Sequence, residues 1–214
     1  MPGATSIISD LEKLYSTPFV GISFQQVEDL PKGDLRPLRF CEHLKKVMDD
    51  GIDRDITASE LDCLGCKWAF GLIEPNDGNL RKFTSNLIRE GRFDVKEQAM
   101  AEVLSAPTLE KDTNNIHLSR NDENPDVLIS YLYPGDCMNL IATYQKVTGN
   151  RPILDSKGIM PVCGQCSVSP VKYGKMTLSL GCRDSRLHGG IPRDRMVVGI
   201  PYDIAVKIVE RLRE

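Results

Sequence analysis

One arrangement occurs twice towards the C-terminal end of the chain: an apolar, β-rich run meets a proline and then an amphipathic stretch. PDVLISYLY (125–133) leads into PGDCMNLIATYQKVTG, and RMVVGIP (195–201) leads into YDIAVKIVERLRE. Proline holds φ near the helical value and lacks only an amide that a first helical turn leaves unbonded. Pro134 and Pro201 therefore mark strand-to-helix junctions. Strands and helices in alternation predict a sheet covered by helices. The pattern starts earlier, with a short amphipathic helix at 6–15, a strand in PFVGISF (18–24) and a helix in LRFCEHLKKVMDDG (38–51) closed by Gly51. A helix is expected from Thr57 or Ser59 through ITASELDCLGCKWAFGL, followed by polar helices at 79–90 and 95–104. MTLSL (176–180) predicts a strand, whereas the polar, Asn- and Asp-rich stretch at 107–125 predicts a surface connection.

That connection divides the chain into similar halves, about 1–106 and 125–214. In the first, a strand precedes a helix bearing Cys41 and then CLGC, with Cys63 and Cys66. In the second, a strand precedes a helix bearing Cys137 and then CGQC, with Cys163 and Cys166. The spacings from Cys41 to Cys63 and from Cys137 to Cys163, 22 and 26 residues, are similar but unequal. The expected fold is a single α/β domain over 1–214, a mixed sheet with flanking helices, built as two loosely repeated halves packed as one unit.

Charge and hydropathy narrow the function classes. A formal net charge of -3 without a long charged block gives no reason to expect nucleic acid as a partner. The apolar runs fall well short of the roughly 18 residues of a membrane helix. MPGATSIISDLEKL has no basic region followed by an apolar one, so a cytoplasmic location is expected. Seven cysteines are fewer than the share of about 8% that marks disulfide scaffolds, and an odd number cannot all pair. In a reducing compartment they point to metal or catalysis, with simple packing as the alternative for each taken singly.

Soft thiolates suit zinc, copper(I) or iron–sulfur clusters. A C-x2-C pair can bring two sulfurs to one ion or cluster, or it can serve as a dithiol switch. Pro170, four residues after Cys166, argues against a long helix opening at CGQC and hence against a thioredoxin-like switch there. Zinc knuckles usually lie closer together than these two pairs, and His43, His117 and His188 are scattered, although Cys137, Cys163, Cys166 and Cys182 could enclose zinc. The ferredoxin run C-x2-C-x2-C-x3-C-P is missing. So is C-x3-C-x2-C, since Ser59 and Ile159 stand where its first cysteine would be. No phosphate-loop, dinucleotide-binding or G-x-S-x-G signature occurs. In LGCRDSRLHGGIPRD, Arg183 and Arg186 are candidate anion or substrate holders beside Cys182, with a solvated basic loop as the alternative. Arg36 and Arg39 stand likewise ahead of Cys41.

The segments FCEHLKKVMDDG, CLGCKWAFGL, NPDVLISYLYPGDCMNLI, PVCGQCSVSP and LSLGCRDSRLHGGIP together resemble the uncharacterised prokaryotic family known as domain of unknown function 169, common in archaea and anaerobic bacteria. The likeness runs from PFVGISF to the C-terminus. Its strongest element is S-x-G-C-x-x-S-R, here Ser179, Gly181, Cys182, Ser185 and Arg186. The resemblance brings no established activity. It implies that Cys41, Cys63, the Cys163/Cys166 pair and Cys182 are family-like positions, that Cys137 stands at an apolar one and Cys66 at an often small one. An anaerobic distribution adds weight to iron–sulfur chemistry over zinc. The expectation is an iron–sulfur cluster of the [4Fe-4S] type, drawing sulfur from both halves. The ligand candidates are Cys41, Cys63, Cys66, Cys163, Cys166 and Cys182, with Cys41, Cys63, Cys163 or Cys166, and Cys182 favoured. Such a site would serve electron transfer or Lewis-acid chemistry on a small molecule. Structural zinc and a C-x2-C redox switch are the alternatives. The expected partner is a small substrate or a redox protein, with no membrane involved and a homo-oligomer allowed.

Overall fold

In the computed structural model of the chain, which describes residues 6–29, 36–110 and 112–214, both faces of the central strands are buried. Residues 1–5, at the start of MPGATSIISDLEKL, and residue 111, in the expected connection, lie outside the described residues. Successive side chains of a strand face opposite ways. In β4 (Val127–Leu132), Val127, Ile129 and Tyr131 enter one core while Leu128 and Leu132 enter the other. A sheet buried on both faces needs a layer of helices on each. Helices α1 (Ile7–Tyr15), α6 (Pro134–Thr148) and α9 (Tyr202–Arg213) cover one face. The other is covered by α2 (Phe40–Asp50), α3 (Leu64–Ala69), α4 (Asp77–Arg89), α5 (Lys96–Leu104) and a π-helix at Pro161–Val168.

The remaining strands are β1 (Phe19–Gln25), β2 (Arg54–Thr57), β3 (Asn115–Ser119), β5 (Ile153–Leu154), β6 (Thr177–Ser179) and β7 (Met196–Pro201). They form one sheet in the order β2-β3-β1-β4-β7-β6-β5, antiparallel throughout except for the parallel pair β5–β6. This is the expected mixed α/β sheet with flanking helices. Pro134 opens α6, and Gly51 closes α2 with a φ of 69°, a left-handed value that suits glycine.

Three local expectations need correction. The stretch at 107–125 is not simply a surface connection, because β3 lies within it, paired to β1 on one side and β2 on the other. Ile116 and Leu118 alternate with polar residues and are fully buried. Asn115 donates through Nδ2 to Gln25 Oε1 and Asp55 Oδ1 at 3.0 and 2.8 Å, so the flanking strands supply partners for its amide. The helix expected from Thr57 begins only at Leu64. The buried Glu60 carboxylate accepts from Thr57 N at 2.8 Å and turns the chain there. Next, Leu38 N donates to Glu60 O at 3.0 Å and Asp62 N to Leu38 O at 2.8 Å, which holds residues 60–62 extended against residue 38.

The third correction concerns CGQC, which is helical despite Pro170. The π-helix Pro161–Val168 runs directly into α7 (Ser169–Tyr173). Pro170 falls within the first turn of α7, at the change of winding, where a missing amide is tolerated. The π-helix rests backbone-first on the sheet. A Cβ at Gly199 of β7 would come 1.9 Å from the Cys166 carbonyl oxygen, so only glycine admits the contact.

Candidate functional site

A cavity of about 420 Å³ opens between the π-helix, α3, α4 and the N-terminal ends of α2 and α8 (Arg183–Leu187). Cys41, Cys63, Cys66, Cys163 and Cys182 all line it. Local structure explains how such distant residues meet. Cys41 is the second residue of α2, where Arg39 is the N-cap and the Glu42 carboxylate accepts from Arg39 N at 3.0 Å. The short bridge between Leu38 and Leu61 places that helix start beside Cys63, the N-cap of α3. Cys182 caps α8: its Sγ accepts from Ser185 N at 3.4 Å, and Ser185 Oγ accepts from Cys182 N at 2.8 Å. The loop after α8 crosses Cys41 through Gly189, where a Cβ would stand 2.7 Å from Cys41 Cβ. Ser185 and the following glycine pair, noted in the sequence as parts of one segment, thus bring Cys182 up to Cys41.

The two C-x2-C pairs behave differently. In an α-helix positions three apart share a face, and Cys66 accordingly stays with Cys63, its Sγ donating to Cys63 O at 3.0 Å. The wider winding of the π-helix, with bonds from i to i+5, separates positions three apart. Cys163 therefore faces the cavity, while Cys166, fully buried, turns to the sheet and donates to Val197 O at 3.6 Å. Cys137 lies in the core on the opposite face of the sheet. Of the six candidate ligands, five line the cavity and Cys166 does not.

Positive charge reaches the cavity by an unexpected route. Arg183 is exposed and off the cavity wall. Arg186 instead secures the loop after α8, with Nη1 donating to Pro192 O at 2.6 Å and Nη2 to Arg195 O at 3.1 Å. The wall carries Arg39 and Arg92, both ion-paired to Asp184. Arg39 was visible in the sequence as a basic residue ahead of Cys41; Arg92 and Asp184 had no signal, since only folding brings the end of α4 to α8. None of the three histidines lines the cavity. His43 Nε2 lies 3.0 Å from Glu60 O and His117 Nδ1 lies 3.1 Å from Asp55 Oδ1.

The thiols sense one another. Burial pushes the Cys41 thiol up to about 12, helped by the nearby Cys63 and Cys182. Burial also raises Cys163, and here Cys63, Cys182 and Cys41 all contribute. Cys63 is lowered, chiefly by the hydrogen bond from the Cys66 thiol, with Arg39 assisting. Burial opposes the charge on Arg39, but Asp184, Cys63 and Cys41 overcome it. Four thiols sharing a space resist ionising together unless a cation joins them, so metal binding there releases protons. Among the described residues no three His, Cys, Asp or Glu side chains are grouped closely enough to hold one ion.

No helix among the described residues is long and apolar enough to cross a membrane. The uncharacterized protein MJ0308 of Methanocaldococcus jannaschii is 25% identical over 203 residues, which span 91% of this chain and 86% of that protein. No solved structure matches the chain. Residues 8–211 match the family described as uncharacterised ArCR, and the chain belongs to this family, domain of unknown function 169.

Proposed function

We propose that the chain binds an iron–sulfur cluster of the [4Fe-4S] type through Cys41, Cys63, Cys163 and Cys182. The observation that carries this is the convergence of these four thiols, from four separate elements of both halves, on one cavity of about 420 Å³. The donor set is all soft sulfur, which fits iron–sulfur clusters and zinc and disfavours hard cations. Zinc with four thiolates draws every sulfur to about 2.3 Å from one point. Four thiols from separate elements around a cavity of about 420 Å³ leave room for the larger group. Arg39, with Cys63 and Cys41 as neighbours, offsets the negative charge that four thiolates confer.

When bound, such a cluster supplies one-electron transfer, its potential set by net charge, hydrogen bonds and exposure. Four thiolates match four irons, which favours electron transfer over Lewis-acid chemistry at an open iron. Cys63 and Cys182 are only half-buried, so the cavity offers a redox partner a short approach. Cys66 completes the wall as a hydrogen-bond donor to Cys63. A reducing, cytoplasmic setting accords with seven free thiols.

The experiment is anaerobic purification followed by a visible spectrum and counts of iron, acid-labile sulfide and zinc per chain. About four irons and four sulfides support one cluster. A colourless protein with about one zinc overturns the proposal in favour of a structural site.

A further inference from the structure

Cys66 is the one cavity thiol that the proposed ligand set leaves unused. It is 1% exposed and donates to the Cys63 carbonyl at 3.0 Å. Cys63 itself is half-buried and lines the open cavity. A small reagent entering the cavity can therefore reach Cys63, while Cys66, bonded to the Cys63 backbone, is shielded beside it. At CGQC, by contrast, Cys163 faces the cavity and Cys166 bonds to the sheet at Val197, so that pair is divided.

We infer that Cys63 and Cys66 form a redox-active dithiol in the metal-free protein, and that their disulfide blocks loading of the site. The second clause rests on the cluster assignment above; the first does not. The oxidant is a low-molecular-weight disulfide. The Cys63 thiolate attacks one of its sulfurs, forming a mixed disulfide and expelling the first small thiolate. The Cys66 thiol gives up its proton to solvent, and its thiolate attacks the Cys63 sulfur. The Cys63–Cys66 bond forms, the mixed disulfide breaks and the second small thiolate leaves. Two protein thiols lose two electrons and the small disulfide gains them. A disulfide needs Cβ atoms about 3.5–4.5 Å apart, closer than the about 5–6 Å typical of helical positions three apart, so closing the link draws the Cys63 N-cap towards the first turn of α3 by about 1–2 Å. Once closed, Cys63 has no thiolate to offer iron.

The test uses the full chain, purified without oxygen, stripped of metal by a chelator and exposed to glutathione disulfide, then digested with trypsin without reduction. Cys63 and Cys66 share the peptide 55–67, whereas Cys41 falls in 40–45, Cys163 in 158–172 and Cys182 in 176–183. The expected product is peptide 55–67 with an internal disulfide. Cys66→Ser should halt at a stable glutathione adduct on Cys63, and its hydroxyl can keep the bond to the Cys63 carbonyl. Links from Cys63 to Cys41, Cys163 or Cys182, a persistent adduct in the wild type, or no modification would each overturn the dithiol. In a second arm, the oxidised protein is offered ferrous iron and sulfide. Uptake should fall to the level of Cys63→Ser and return after reduction with dithiothreitol. Undiminished uptake by the disulfide form overturns the blocking role. Failure of the fully reduced protein to take up iron removes the cluster assignment and leaves the peptide map to judge the dithiol alone.

Discussion

Gly199→Ala is a small change with a large expected effect. The backbone of β7 at this residue has no left-handed φ, so alanine suits the strand itself. On propensity alone the substitution should be neutral or stabilise by up to about 1 kcal/mol. The tertiary contact reverses the sign. The new Cβ would lie 1.9 Å from Cys166 O, 2.7 Å from Cys166 C and 2.9 Å from Pro170 Cγ. Ordinary contact begins at 3.4 Å, so the π-helix must lift from the sheet by about 1.5 Å, the difference between 3.4 and 1.9 Å. The obstacle is backbone and cannot swing aside. Overpacking of this kind costs about 1–3 kcal/mol or more. For a chain of this size each kcal/mol lowers the melting temperature by about 2–4 °C. The same lift carries Cys163 away from the other three thiols, so iron per chain should fall as well. Gly135→Ala is the control: its Cβ meets nothing within 4 Å, and it should stabilise by up to about 1 kcal/mol. Urea unfolding of both variants beside the wild type provides the comparison. A Gly199→Ala protein as stable as wild type would refute the seating of the π-helix on β7.

Cys163→Ser and Cys182→Ser should each lose most bound iron, whereas Cys166→Ser, off the cavity, should retain it and lose only about 1 kcal/mol of stability, read by metal analysis and denaturation. Cys41 and Cys166 have folded-state values raised to about 12, above the unfolded thiol range. The folded state thus holds these protons more tightly, so their stabilisation is complete below about pH 8.5, the unfolded value, and is lost as pH rises towards 12. Melting curves of the metal-free, reduced protein should fall over that window, and a flat profile would count against the buried thiols. Asp184→Asn removes the shared counter-ion of Arg39 and Arg92. It should cost on the order of 1 kcal/mol and shift a bound cluster's reduction potential upward, measured by an optical redox titration.

Much of the scaffold was legible because it rests on local rules. Pro134 and the alternating run before it mark β4 and α6, and Gly51 marks the end of α2. β3 was hidden because only two apolar residues, Ile116 and Leu118, lie among Asn and Asp-rich flanks, and its burial comes from neighbours far along the chain. The start of α3 was misplaced because the Leu38–Leu61 bridge, a contact distant in sequence, holds residues 60–62 extended.

The kind of chemistry available is written in the residue order: soft thiols in C-x2-C pairs and single positions, on a strand-and-helix framework with open periodicity. Which thiols act together was decided by tertiary structure. Two pairs of identical spacing met different fates, because α-winding keeps Cys66 with Cys63 whereas π-winding on Gly199 parts Cys166 from Cys163. Side-chain direction follows the winding of the backbone, and that winding is set by what the backbone packs against.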